Sequence, residues 1–474
     1  MSEFSAELEE ILALTASPNV DGNRTLAYSK LLCLQGRSSD NPSSIRALGE
    51  SCGSILPHLV SDIPADDEEI AALALKCLGF MIYHPMIVAV IPGNVAGEVL
   101  ASIAEVARTT KMKLVCNLGM WCISMQQLDE EAIRGHFQLL VMAVVHAIDN
   151  PFGSLSTTFE AFQAVIKLVE QTDQMMRESS DLWLPPTYRR LLSDDKRARD
   201  MAVRCLLKIK PTVIPPTLML FKAVRIDLKD SLLLKMKEMI KDGYKVQAVQ
   251  AWGWLIRLLG NYATKDRHVF NDMLKVLESA FLDSDPQVQI ASQVAWQGLV
   301  EAVIPPLLTG KEKDMGKQTP DREKFTLDVG ESRINGLLRI LKLIMTPIVG
   351  IVSSQCNLAV RSACFDTWSI LLHKLHTLVN HQAIRTVVLK PVFEVVFRKK
   401  EENVGNGSWD LCLDMLDHSM LPPEGRRTTL ASDNVILDSL EHVTFSRSTW
   451  RQYPMKLLPF VILSSISTLK SLKC

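Results

Sequence analysis

The sequence predicts an all-α fold, specifically a HEAT- or armadillo-type α-solenoid. One observation is composition: 47% of the residues are hydrophobic but only 6% are aromatic, a bias that suits helix–helix packing better than packed β-sheets. A second is a sequence motif that recurs at intervals typical of helical repeats. A third is that strand-like patterning is confined to a short ambiguous run at residues 386–397.

The recurring motif is a polar or turn stretch, then an aliphatic residue followed by a small or polar one, then a long amphipathic helix. Clear copies begin at Ile70, Val246, Val288 and Val360, and with weaker copies the anchors fall at residues 70, 112, 155, 198, 246, 288, 360 and 404. The successive differences are 42, 43, 43, 48, 42, 72 and 44 residues. Six of the seven are close to the length of about 40–47 residues of a HEAT or armadillo unit. We therefore expect about eight to eleven repeats of 42–44 residues.

The interval of 72 residues has a visible cause in a polar, turn-rich segment at about residues 309–333, which we interpret as an inserted loop with an irregular helix, followed by a helix from about residue 334 to 351. The predicted domain organisation is one repeat array over residues 1–450, carrying this insertion. Residues 451–474 form an atypical tail that resembles the end of a truncated or alternatively spliced product.

Proline-containing segments are predicted to separate helices, because proline cannot continue the helical hydrogen-bond ladder. These predicted turns lie at Asn150-Pro151, Leu184–Pro186, Ile214–Pro216 and Ile304–Pro306.

The sequence holds few candidates for chemistry. No GxGxxG, GxxxxGK[ST], HExxH, GxSxG or CxxC pattern occurs, so phosphate loops, zinc sites and nucleophile elbows have no local signature. We expect neither an enzyme nor a cofactor. The absence of an uninterrupted apolar run of about 18 residues argues against a membrane partner. Trp252 and Trp254 could stack nucleic-acid bases, but their apolar neighbours favour core packing.

The net charge of the whole chain is only −1, so any electrostatic binding site must be a local patch of charge. From Thr187 to Lys245 there are 15 Lys and Arg against 7 Asp and Glu, a local excess of 8. On consecutive repeats such cations can form one stripe that attracts phosphates; the alternative is a solvated helix face. The candidate DNA-binding residues are Arg189, Arg190, Lys196, Arg197, Arg199, Arg204, Lys208 and Lys210.

Five stretches of the chain share a pattern with a known family: Ala74–Pro85, Phe159–Leu168, Ala251–Gly260, Ala295–Val300 and Leu341–Ile348. Together they resemble the amino-terminal domain of the telomere-associated Rap-interacting factor one family. They come in the family's order over roughly residues 65–400, and their joint occurrence carries the resemblance.

This resemblance implies a nuclear, chromosomal scaffold at telomeres that binds DNA and chromatin, replication or repair proteins. Family members act in telomere length control, replication timing and the choice of break-repair pathway. They also recruit protein phosphatase one, and His442–Phe445 loosely resembles its docking motif. The alternative function is a protein–protein adaptor, either a phosphatase scaffold or a karyopherin-like transport receptor.

Overall fold

The structure is a computed structural model that describes residues 3–16, 21–149, 152, 154–304, 331–375, 378–379 and 381–398. The described residues are α-helical between their turns and fall into two compact units, which divide between Asp227 and Leu228. Each unit is a helical array of the α-solenoid class, as the sequence predicts.

Among its described residues, the first unit contains fourteen α-helices and a 3-10 turn at Arg190–Leu192. The helices are α1 (Glu3–Ala16), α2 (Asp21–Ser38), α3 (Pro42–Glu50), α4 (Cys52–Asp62), α5 (Glu68–Tyr83), α6 (Pro85–Val88), α7 (Gly93–Thr109), α8 (Lys113–Met125), α9 (Glu130–Asp149), α10 (Leu155–Gln171), α11 (Asp173–Glu178), α12 (Ser180–Arg189), α13 (Lys196–Val213) and α14 (Leu218–Asp227).

These helices stack in two rows. In the first row α2, α5, α8, α10 and α13 pack side by side in this order, and in the second row α1, α4, α7, α9, α12 and α14 do the same. Each repeat buries its apolar faces against its own partner helix and against the next repeat, which is how solenoids build a continuous core.

The second unit begins with a π-helical turn at Leu228–Leu232 and holds a 3-10 turn at Gly260–Lys265. Its helices are α15 (Leu233–Lys241), α16 (Lys245–Leu259), α17 (Arg267–Phe281), α18 (Pro286–Val303), α19 (Glu331–Ser353), α20 (Leu358–Leu375), α21 (Gln382–Val388) and α22 (Lys390–Arg398). Here α16, α18 and α20 pack in the first row, and α15, α17 and α19 occupy the second.

The sequence anchors mark the starts of first-row helices. Seven predicted anchors, at residues 70, 112, 155, 198, 246, 288 and 360, lie within the first three residues or at the N-cap of α5, α8, α10, α13, α16, α18 and α20. The polar residue before the anchor is often the cap: Asp67 accepts hydrogen bonds from the backbone N–H of Glu69 and Ile70. The eighth anchor, Val404, lies outside the described residues, as does the predicted tail at residues 451–474.

One local prediction is wrong. Pro185 and Pro186 lie inside α12 and are buried rather than forming a turn; neighbouring Trp183 and Tyr188 are fully buried, and this packing outweighs the lost backbone hydrogen bonds.

The helix predicted from about residue 334 to 351 is present as α19, which runs from Glu331 to Ser353. Most of the predicted insertion lies outside the described residues, so its extent stays a prediction.

Other local predictions hold. Ile214–Pro216 separates α13 from α14 as predicted, and the ambiguous run at residues 386–397 falls in helices α21 and α22. Trp252 and Trp254 are buried in the core.

Helix α19 is long and apolar enough over Ile334–Ser353 to cross a membrane, by length and composition only. In this structure 33% of its most apolar stretch is buried. Leu341, Ile344 and Ile348 are among the buried residues, where the helix packs against α20, α21 and α22.

Candidate nucleic-acid interface

Helix α13 carries most of the sequence-predicted DNA-binding residues. Its N-cap is Asp195, whose carboxylate accepts hydrogen bonds from the backbone N–H of Arg197 (2.6 Å) and Ala198 (3.4 Å). One face, including Ala202, Leu206 and others at helical spacing, is buried against the array. This amphipathic pattern turns the opposite face, with its cations, towards solvent.

Four of the predicted residues on α13 are exposed: Lys196, Arg197, Arg204 and Lys208. Within the described part of the chain, none of their side chains forms an ion pair. Arg197, Arg204 and Lys208 stand at positions i, i+7 and i+11, so Arg204 and Lys208 lie about 20° to either side of Arg197 around a helix of 3.6 residues per turn. They therefore form a row about 16 Å long at a rise of 1.5 Å per residue. We call Arg197, Arg204 and Lys208 the α13 cation row; Lys196 is also exposed but lies about 100° around the helix from Arg197, outside the row.

Three exposed carboxylates accompany these cations. Asp200 lies on α13 three residues after Arg197 and four before Arg204, so it is a helical neighbour of both. Asp194 and the N-cap Asp195 are exposed directly before the helix. The surface therefore carries a small positive excess, and the carboxyl-terminal part of the row lies farthest from the carboxylates.

Arg189 and Arg190 bond to the protein rather than standing free. Arg189 Nε and Nη2 donate to the two oxygens of Asp227 at 2.9 and 3.0 Å, and this hydrogen-bonded pair raises the pKa of Arg189. Arg190 Nη2 donates to the carbonyls of Ile148 (2.6 Å) and Asp149 (2.7 Å), which satisfies the carboxyl end of α9. Both guanidinium groups thus tie second-row helices together.

Arg199 and Lys210 also differ from the exposed row. Arg199 is only 7% exposed, and its Nη1 donates to the carbonyls of Ser193 (2.7 Å) and Asp194 (2.9 Å), so it fixes the turn before α13. Lys210 is half-buried and has an interaction partner within the protein. The structure therefore separates the eight predicted residues into a solvent-facing row and a set that supports the fold.

The neighbouring first-row helix of the same unit, α10, carries carboxylates as well as a lysine. Glu160 is half-buried and Glu170 is exposed. Lys167 of α10 donates its Nζ to Gln127 Oε1 at 3.1 Å. Within the first unit, the positive surface belongs to α13 itself and not to the α10 face beside it.

Helical periodicity could have identified Arg199 in advance. It precedes Ala202 by three and Leu206 by seven residues, which places it on the buried arc of α13. The role of Arg190 could not be found this way, because its partners lie about 40 residues earlier, at the end of α9.

Comparison with known proteins identifies two vertebrate relatives by sequence. Telomere-associated protein RIF1 of Mus musculus is 21% identical over 316 residues, which are 65% of this chain and 13% of the mouse protein. The Homo sapiens protein of the same name is 20% identical over 262 residues, 54% of this chain and 10% of the human protein. The chain thus spans about one eighth or less of the length of these relatives.

A solved structure shares the fold. The crystal structure of the Rif1 N-terminal domain from Saccharomyces cerevisiae in complex with DNA matches with a TM-score of 0.60 and 11% identity, covering 98% of this chain and 54% of that one. A model of the family described as Rap1-interacting factor 1 N terminal matches residues 18–384. This chain belongs to the Rap1-interacting factor 1 N-terminal family, as the order of its sequence stretches suggested.

Proposed function

We propose that this chain is a non-catalytic chromosomal scaffold that binds duplex DNA through the α13 cation row. The observation that carries the proposal is the alignment of exposed cations, without ion-pair partners among the described residues, on one helix face. The yeast relative of the same fold was crystallised with DNA, which supports the choice of DNA over other polyanions.

The geometry suits phosphate contacts rather than base recognition. A duplex carries one negative charge per about 3.4 Å of axis on each strand, so a row about 16 Å long spans roughly five phosphates of one strand, enough to partner its three cations. Two Arg guanidinium groups in the row can each bind phosphate oxygens in a bidentate manner. We expect binding that is largely independent of sequence and steeply dependent on salt.

The remaining predicted residues have a supporting role in this proposal. Arg189, Arg190 and Arg199 fix α12, α9 and the turn before α13 through the hydrogen bonds described above. They hold α13 in place, and DNA contacts the row that it presents.

The proposed cellular role of this chain follows from the roles of its relatives. They are telomere-associated proteins, which supports a nuclear, chromosomal location for this chain. Replication timing, break repair and contacts with chromatin, replication and repair proteins belong to the same proposal. Recruitment of protein phosphatase one stays a prediction, since His442–Phe445 lies outside the described residues.

The test compares two triple variants of the purified chain in duplex binding at low salt. Arg197→Glu/Arg204→Glu/Lys208→Glu removes the row, and Lys76→Glu/Lys111→Glu/Lys113→Glu makes the same change of net charge at other exposed lysines of the first unit. The proposal expects the first variant to lose at least about a hundredfold in affinity and the second to lose little. Equal losses in both would show that only the overall charge matters, and would refute a site on α13.

A further inference from the structure

A second surface lies in the other unit, between two second-row helices. The wall formed by α17 presents Leu274, Leu277 and Phe281, and the wall formed by α19 presents Leu343 and Pro347 among others. An open groove of about 850 Å³ runs between the two walls, a volume in the range of pockets that accept several large side chains.

The groove exists because the two rows of this unit pack differently. In the first row, α16 and α18 approach very closely: a Cβ atom at Gly298 would lie 2.6 Å from the carbonyl oxygen of Gly253. In the second row, α17 and α19 stand apart where the sequence spacing between repeats rises from 42 to 72 residues. Side chains of another helix are needed to fill such a gap.

The floor of the groove is apolar and rigid. Trp296 is 3% exposed, and its ring meets Phe281 edge-on with the centroids 5.4 Å apart and stacks on Trp252 at 6.3 Å. Its Nε1 donates to the carbonyl of Ile344 at 3.0 Å, so the polar atom of the indole is already satisfied. The floor therefore offers apolar contact and little hydrogen bonding to an occupant.

The rim combines an exposed anchor with negative charge. Leu282, which lies in the turn from α17 to α18 and lines the groove, is 83% exposed. The two charged residues among the lining residues are Glu278 and Asp283, both carboxylates. The Asp283 carboxylate forms an ion pair with Lys245, with Oδ2 and Nζ 2.7 Å apart. Glu278 is exposed and forms no ion pair within the described part of the chain.

We propose that this groove binds an amphipathic helix of a partner protein, with large apolar side chains at positions i, i+3 or i+4 and i+7 and with Lys or Arg flanking them. Apolar walls with residues at helical spacing accept such a ridge in the way helix-in-groove interfaces do. The carboxylates of the rim select basic over acidic flanks, because like charges at a partly desolvated rim repel. This surface is independent of the α13 cation row.

The experiment uses two fluorescein-labelled peptides of about 18 residues, a length at which an isolated helix becomes stable enough to test. Both share one face of leucines; one has lysines at the flanking positions and the other has glutamates. Fluorescence anisotropy with the full chain is expected to show the lysine peptide binding about tenfold more tightly than the glutamate peptide. Glu278→Lys is expected to abolish or reverse this preference.

Two further variants locate the binding. Leu282→Gln is expected to weaken the lysine peptide about tenfold, since a leucine contact is replaced by a polar amide at unchanged charge. The matched control Leu234→Gln changes a residue that is 62% exposed in the same unit but does not line the groove, and it should bind like the wild type. Circular dichroism of each variant confirms that the fold is intact.

Several outcomes would overturn the proposal. The first is that neither peptide binds, the second is that both bind equally well, and the third is that Leu282→Gln and Leu234→Gln lose the same affinity. Concentration-dependent dimerisation that Leu282→Gln abolishes would assign the groove to a second copy of the chain. Competition by a synthetic peptide of residues 305–330 would assign it to the chain's own segment instead.

Discussion

Replacing Gly298 with alanine tests the close approach of α16 and α18 in the second unit. The new Cβ would lie 2.6 Å from the carbonyl oxygen of Gly253 and 2.7 Å from Nη1 of Arg257. Neither neighbour moves easily: the first is helix backbone, and Arg257 is held by Gly253 O and by Glu301 Oε2, each at 2.8 Å.

The magnitude follows from two opposing effects. Overpacking in a tight interface costs about 1–3 kcal/mol, and contact with backbone atoms places this site near the upper end. Alanine gains about 1 kcal/mol over glycine in helix propensity. Gly298→Ala should therefore lower the free energy of unfolding by about 1–2 kcal/mol, which lowers the Tm of a unit of this size by about 2–8 °C.

Thermal unfolding followed by circular dichroism measures this change. The matched control is Gly336→Ala in α19, where a Cβ meets nothing within 4 Å; it should raise the Tm slightly because only the propensity term remains. If Gly298→Ala were as stabilising as Gly336→Ala, the close packing of the two helices would be refuted.

Three further outcomes are expected in the first unit. Arg190→Met removes the guanidinium donor to the Ile148 carbonyl and should lower the free energy of unfolding by about 1–3 kcal/mol in urea titrations; an unchanged midpoint would contradict the capping role. Burial raises the pKa of the Cys122 thiol, so iodoacetamide at pH 8 should modify exposed Cys33 while Cys122 reacts only after unfolding, as mapped by mass spectrometry. Burial also raises the pKa of Glu160, so its protonated form stabilises the fold at low pH and this contribution is lost as pH rises through the folded pKa. Glu160→Gln should then unfold at higher denaturant than the wild type at pH 7 but not at pH 4, and the same gap at both pH values would disprove the shift.

The sequence predicts the first row of the fold well for a physical reason. Each anchor, such as Ile70 or Val288, lies near the start of a helix that is buried on several sides, so capping and apolar spacing recur with little variation. The second row is less regular: α11 and α12 break at Ser179, and α12 contains two prolines. Tertiary packing sets these features, and local sequence carries no signal for them.

The candidate site could be predicted in part. Local charge density found α13 correctly as a basic helix, and the spacing of Arg197, Arg204 and Lys208 is readable from the sequence. The partner of Arg189 is Asp227, 38 residues later, and charge counts cannot reveal such a tertiary contact. The groove beside Trp296 could not be predicted from the sequence either, because it depends on the separation of α17 and α19 and not on any motif.

The most direct test of the proposed DNA-binding role is the salt slope of duplex binding, measured as log K against log salt concentration. Three phosphate contacts contribute about 2.7 to this slope, at about 0.9 per contact. The wild-type slope should therefore exceed that of Arg197→Glu/Arg204→Glu/Lys208→Glu by about 2.7 or more, with the Lys76→Glu/Lys111→Glu/Lys113→Glu control close to wild type. Equal slopes for all three proteins would contradict DNA contact by the α13 cation row.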